Sequence, residues 1–505
     1  MENKKHGFGS ALGFILAAAG SAVGLGNLWA FPYKVSQNGG AAFVLVYIAC
    51  VVLIGCIVMM AEIYLGKRGK ANTISAYKKV NKNLGFFGVI AIIIPTVIVC
   101  YYCVLGGWTL RYAVNSFQPN DALSNANSFA SFTSNPIMPI VFTFIFMAIT
   151  AVIIMGGIKN GIERASKFLM PILFLIVVFI AIFSLFLGDG VKDGLNFYLN
   201  PDFKELGFEG VLAAMGQAFF SLSIGMGTLI SYGSYTGKVI KVGKSTFMIC
   251  LFDSLVALLA GLAIFSSLGA LQPDSLQSAH GVGLVYQILP QVFEKMGAIG
   301  PFISLLFFIM VVIAALTSVI SILEVSVQFI CQRYKKKRKP VTIIMAAICF
   351  LISIPITWSV GGAFDGKIVI FGYDLLTFLD EIANTVLMPV CAMGACIAIG
   401  WFIDKKVNFN PMKTLRSLEK DGLQLGFFGK IFAVMVKYVA PLVIGVVVVM
   451  GIIGKYSEYM LKGLNYSFVV GGALILIAVA IIVYFMFFEN KDTGDNHTEE
   501  LVENK

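Results

Sequence analysis

Charge is what this sequence has least of. Lys, Arg, Asp and Glu make up 13% of its 505 residues, about half the density that a water-exposed globular surface carries. That shortage excludes a water-soluble enzyme and a disordered chain. Histidine is scarce as well: His6, His280 and His497 stand far apart, so no imidazole cluster is available for a metal or a proton relay. The nine cysteines lie in or at the ends of apolar stretches, which excludes a disulfide scaffold. Cys100-x-x-Cys103 reads as a pair of small hydrophobes in a reduced setting. No Walker motif is present, and Gly24-Leu25-Gly26 follows no strand, so a dinucleotide site is excluded too. With no nucleophile–base or metal constellation visible, the chain does not read as an enzyme.

What is abundant is hydrocarbon. Hydrophobic residues reach 58% and mean hydropathy is +0.88. Twelve apolar segments lie near 11–33, 41–65, 88–116, 138–156, 168–187, 209–234, 246–270, 298–331, 341–358, 373–402, 431–454 and 466–488. Runs of about 20 residues suit a bilayer, where a helix satisfies its own backbone. The expectation is an all-α integral membrane protein with 12 transmembrane helices. Most of the 37 Lys and Arg lie before segment 1 or in the even-numbered loops, including Lys67, Arg68, Lys70 and the run around Lys336. This is the positive-inside pattern, and it predicts a multi-pass protein of the cell (cytoplasmic) membrane with both termini cytoplasmic. The net charge of +10 is then topology; the partner is the lipid bilayer, and no nucleic acid is expected. Lys4 and Lys5 with the apolar run behind them resemble a signal peptide. That run continues past Gly20-Ser21-Ala22, however, and its removal would invert the topology.

Segments 1 and 6 share an oddity. Gly20-Ser21-Ala22-Val23-Gly24-Leu25-Gly26-Asn27 and Ser221-Leu222-Ser223-Ile224-Gly225-Met226-Gly227 put glycine and small polar residues in the middle of apolar spans. They hold the same place in two five-segment halves. Interrupted helices at matching positions point to a transporter built as a 5+5 inverted repeat, with its site at the midplane. The halves are 1–187 and 209–402, followed by two extra helices in 431–488 and an acidic cytoplasmic tail in 489–505. Half-helix N-termini suit a carboxylate, and freed carbonyls suit a hard cation.

Those residues, with Phe31-Pro32-Tyr33, Asn38-Gly39-Gly40, Gly216-Gln217-Ala218-Phe219-Phe220, Tyr101-Tyr102 and Ala314-Ala315-Leu316-Thr317-Ser318, resemble the neurotransmitter:sodium symporter family. The resemblance spans residues 1 to about 400. It implies a sodium-coupled symporter working by alternating access with two sodium ions. One ion would be held by the Ala22 carbonyl, Asn27, Ser221 and Asp253. The other would be held by the carbonyls of Gly20, Val23 and Ala314 with the hydroxyls of Thr317 and Ser318. Tyr47, Gln217 and Ser221 match the family's anion site, and Asp253 stands where chloride-dependent members carry a neutral residue. No chloride is therefore expected. A carboxylate inside a membrane segment is functional by default.

Gly24 stands where amine carriers of the family place an aspartate, so the substrate is expected to bring its own carboxylate. Gly26, Tyr102 and sodium would receive that group, and Ala22 and Ser221 are also expected against the substrate. The side-chain pocket would comprise Ser21, Ile98, Tyr102, Phe220, Ser223, Met226, Ser318 and Ile322, which suits a neutral hydrophobic amino acid, aromatic ones included. An osmolyte symporter and a non-transporting amino-acid sensor remain open alternatives. The family's outer gate pair becomes Ala30 and Ala383 here, which makes Lys34 and Asp380 the expected substitutes. Its inner arginine and tryptophan become Lys5 and Phe8, its aspartate becomes Gln332, and Glu62 and Tyr235 are retained. Tyr102 and Phe220 complete the gate candidates.

Overall fold

The computed structural model describes residues 7–116, 127–237, 240–277, 282–361, 368–370, 372–403, 410–420 and 428–462, with side chains as far as residue 453. They are almost wholly helical; the strands among them are the antiparallel pair Val369–Ile370 and Tyr373–Asp374. The first segment is split into α1 (Ala11–Ala22) and α2 (Gly26–Gln37), bent by 48°. Then come α3 (Ala41–Gly69), α4 (Lys82–Asn115), α5 (Met138–Met155) and α6 (Ile158–Ser184). The sixth segment is split again, into α7 (Phe208–Ser221) and α8 (Thr228–Ser234). The chain continues through α9 (Val242–Leu271), α10 (Gly297–Arg333), α11 (Arg338–Val360), α12 (Leu375–Trp401) and α13 (Phe428–Ile453).

Among the described residues nine helices are long and apolar enough to cross a membrane, or ten if the bent pair counts as one span. Their outward faces carry bare hydrocarbon, with Phe168 at 68%, Leu175 at 68% and Leu442 at 70% exposure. A surface of that kind is stable only against lipid. The expected twelfth segment at 466–488, the tail at 489–505 and Lys5 lie outside the described residues.

Both breaks follow from local chemistry. Ser10 caps α1 by accepting a hydrogen bond from Gly13 N, and the helix ends where Val23 turns extended at ψ 101°. The amides freed there find side chains: Gly24 N donates to Asn27 Oδ1 (3.1 Å) and Leu25 N to the Tyr102 hydroxyl (2.7 Å). Gln217 Nε2 returns a bond to the Gly26 carbonyl at 2.7 Å. In the second break Ser223, Gly225 and Gly227 all have positive φ (53°, 81° and 70°), a region closed to most side chains. Gly225 N donates to Glu62 Oε1 at 2.9 Å. A Cβ on Gly225 would stand 2.2 Å from the Met388 carbonyl oxygen on α12.

The start of α1 is fastened to α6. The buried Glu163 carboxylate accepts from Gly9 N (2.6 Å), Ser10 Oγ (3.0 Å) and Lys167 Nζ (2.6 Å). At the second break, Gly225→Ala combines an unfavourable φ with a collision against backbone. It is expected to cost about 2 kcal/mol or more and to lower the thermal denaturation midpoint of the detergent-purified protein. An unchanged midpoint would show that the break relaxes around a methyl group.

Candidate ion and solute site

Four elements converge at the first break. Asn27 Nδ2 on α2 donates to Asp253 Oδ1 (2.8 Å) and to Ser221 Oγ (3.0 Å). Ser221 Oγ, at the end of α7, donates to Asp253 Oδ2 on α9 at 2.8 Å. The Tyr47 hydroxyl of α3 donates to Ser221 Oγ at 3.3 Å. Asn27, Ser221, Asp253 and Tyr47 are all fully buried. Of the first predicted ion cluster, Asn27, Ser221 and Asp253 are thus in mutual contact, and Ala22 closes the adjoining end of α1. Ser221 and Asp253 offer oxygen, which suits a hard cation, while Asn27 turns its amide nitrogen toward them.

The second predicted cluster also assembles. Thr317 Oγ1 lies 3.1 Å from the Ala314 carbonyl and 2.9 Å from the Ile313 carbonyl, and donates to one of them. Ser318 Oγ on α10 reaches across to the carbonyls of Gly20 (3.3 Å), Ser21 (3.1 Å) and Val23 (3.4 Å) on α1. Gly20, Val23, Ala314, Thr317 and Ser318 therefore share one small volume between α1 and α10.

Between the two breaks lies a small cavity. Ser21, Ala22, Gly24 and Gly26 border it from the first break, and Phe220, Ser223 and Met226 from the second. Tyr102 on α4 and Ser318 and Ile322 on α10 complete the wall. Two predicted substrate residues do not border it. Ile98 is buried one helical turn before Tyr102, and Ser221 is committed to Asn27 and Asp253. A Cβ at Gly24 would lie 2.5 Å from both Ser318 Oγ and the Tyr102 hydroxyl, so a side chain there requires both to shift. The cavity has no ionised side chain on its wall.

The chain matches the sequence profile of the Sodium:neurotransmitter symporter family over residues 5–140 and 131–493, and it belongs to that family. It is 34% identical to the sodium-dependent transporter YhdH of Bacillus subtilis, over 90% of this chain and 99% of that protein. It is 29% identical to the sodium-dependent transporter MJ1319 of Methanocaldococcus jannaschii, over 95% and 96% of the two chains. The crystal structure of MhsT in complex with L-phenylalanine superposes with a TM-score of 0.80 at 34% identity, covering 88% of this chain and all of that one. The chain is thus a sodium-dependent symporter of the membrane, and not an enzyme.

The side of the bundle where α1 begins is closed by contacts that the family pattern does not supply. Phe8 packs edge-on against Phe14 and Tyr232, each at 5.4 Å between ring centroids, and its amide donates to the Tyr235 carbonyl at 3.3 Å. Gln332 accepts from Asn72 N at 2.7 Å. The ion pair sits elsewhere, between Arg338 at the start of α11 and the fully buried Glu324 on α10. Arg338 Nη1 donates to Glu324 Oε1 at 3.0 Å, and Nη2 donates to Oε2. The Tyr235 hydroxyl donates to Glu324 Oε1 at 2.8 Å, and Arg338 Nε reaches the Ile154 carbonyl at 2.8 Å.

Sequence reasoning missed Glu324, although the rule that singled out Asp253, a carboxylate inside an apolar segment, applies to it equally. Removing one member of a buried pair strands the other charge, at a cost of about 3–5 kcal/mol. Arg338→Met should therefore lower the melting temperature of the purified protein, and adding Glu324→Gln should recover most of the loss. Equal destabilisation by single and double variants would show that packing, not charge, holds this face.

Proposed function

We propose that the chain imports neutral hydrophobic amino acids, aromatic ones among them, with two sodium ions and without chloride. It lies in the cell membrane with both termini cytoplasmic and works by alternating access between two five-helix halves. The observation that carries this reading is the Asp253 carboxylate, buried between Asn27 and Ser221 beside a cavity that holds no charge of its own. A buried carboxylate needs a positive partner, and a sodium ion supplies it. Half a turn of the Asn27 amide brings Oδ1 to face that ion, and the solute's carboxylate completes its shell. Chloride has no role where a fixed carboxylate already stands.

Gly24 supports the solute class, because an amine without a carboxylate would need an acid on the wall, and at Gly24 a Cβ would crowd Ser318 and Tyr102. The Leu25 amide engages the Tyr102 oxygen and leaves the Tyr102 proton for the solute's carboxylate. The relative MhsT, seen with L-phenylalanine, supports the aromatic members of the class. Two sodium ions crossing about 100 mV supply about 4.6 kcal/mol, enough for accumulation of over a thousandfold before the sodium gradient itself is counted.

Uptake by proteoliposomes across a panel of amino acids tests the whole reading. Accumulation should require sodium and persist when gluconate replaces chloride. Asp253→Asn should cut uptake at least tenfold, with chloride partly restoring it. Wild-type uptake that stops without chloride would sink the assignment, and binding without accumulation would leave a sensor.

The outer gate belongs to the same proposal. Ala30 and Ala383 are buried and uncharged, while the charges of Asp380 and Glu381 act on Lys34. In this structure Asp380 Oδ1 accepts from Asn384 Nδ2 at 2.8 Å, and among the described residues no ion pair joins it to Lys34. Pairing of Lys34 with Asp380 accompanies full closure around a solute, with Tyr102 and Phe220 beneath it. Lys34→Asp and Asp380→Lys should each cripple uptake, and the double swap should recover a good part of it. Purely additive losses would mean that the two residues never meet.

A further inference from the structure

Most of the cavity wall is apolar, but two of its residues belong to a closed chain of hydroxyls. Ser21 and Ser223 border the cavity. Behind them on α10 stands Ser321, fully buried and outside the cavity wall. Ser321 Oγ lies 2.6 Å from Ser21 Oγ and 2.7 Å from the Ser318 carbonyl, and donates to one of them. Ser21 Oγ donates to Ser223 Oγ at 3.3 Å, and Ser223 Oγ donates to the Ser21 carbonyl at 2.7 Å.

Each hydroxyl has one proton to give and two lone pairs to receive. The protons of Ser21 and Ser223 are therefore committed between these two residues, and the bond between the two cavity-facing hydroxyls is the longest. Lone pairs remain on Ser21 and Ser223, so the unused capacity of this wall is to accept. Ser223 is also held in the left-handed backbone region at φ 53°, where a residue with a side chain stays only when its surroundings impose it.

We propose that Ser21 and Ser223, positioned by Ser321, form a polar subsite that receives a hydrogen-bond donor from the solute's side chain. The favoured solutes are then aromatic amino acids with an N–H or O–H on the ring, ahead of purely hydrocarbon ones. This rests on the amino-acid reading above and narrows it. Because the serines keep their own partners when no donor arrives, hydrocarbon side chains still bind, and the preference is about tenfold rather than absolute.

The test uses pairs of solutes that differ in the ring donor. Sodium-dependent binding to the purified full-length protein is measured for tryptophan against 3-benzothienylalanine, in which sulfur replaces the ring N–H, and for tyrosine against phenylalanine. Wild type should bind the donor-bearing member of each pair about tenfold more tightly. The ratio should fall toward one in Ser223→Ala and in Ser321→Ala, a change that mere loss of glue between α1 and α10 would not produce. If Ser321→Ala does not fold, Ser321→Cys keeps nearly the same volume with a much weaker donor and should lower the ratio as well. Equal wild-type affinities within both pairs would overturn the subsite, and so would ratios that survive the serine substitutions. If no aromatic amino acid binds in sodium, the amino-acid reading itself falls, an outcome distinct from tight binding without a donor preference.

Discussion

An unpaired peptide group in hydrocarbon costs several kcal/mol, so a membrane helix can stop in mid-span only where something else meets its backbone. Much of the centre of this molecule is organised by that debt. Where α1 ends, the amides of Gly24 and Leu25 and the carbonyl of Gly26 are met by Asn27, Tyr102 and Gln217. Where α7 ends, Glu62 meets Gly225. The side chains that satisfy the breaks come from several different helices, so the breaks recruit a polar core in a molecule that is otherwise apolar throughout.

The two polar clusters differ in how they join the helices. The Asn27, Ser221 and Asp253 group ties α2, α7 and α9 through side chains, with a carboxylate at its centre. The Thr317 and Ser318 group ties α10 to α1 through backbone carbonyls, with no ionised residue. A cation placed in the second cluster would meet dipoles alone, and its hold would depend on how closely α1 stays against α10. Glu163 bears on that distance from the far end, since it fixes Gly9 and Ser10 at the start of the same short helix.

Much of this was legible in the residues, and the boundary is physical. Spans 2 to 5 and 7 to 11 are long apolar runs whose signal is local, and they appear as α3 to α6 and α9 to α13 with ends displaced by only a few residues, apart from the start of α6. The breaks were visible because glycine and serine are conspicuous inside hydrocarbon. Contacts made between segments were not visible. Arg338 sits in a basic run that reads as a solvated loop, and nothing local says that this cation turns inward to Glu324 while its neighbours stay out. Ser321 looks like any hydroxyl on a membrane helix. Its role depends on facing Ser21, some 300 residues earlier in the chain. Gln332, at the place of a familiar gate aspartate, turned out to bind the cap of the short helix Thr73–Val80 through Asn72.

The missing side chain at Gly24 also constrains how this chain could diverge. Its α-hydrogens occupy a gap set by Ser318 on one side and Tyr102 on the other, and both of those residues have second duties, at the α10 cluster and at the first break. A side chain introduced at that position meets both of them at once, so accommodating it requires Ser318 and Tyr102 to move together. Neither moves without loosening a second contact, the one between α10 and α1 or the one at the first break, so a substitution at Gly24 is felt in two places.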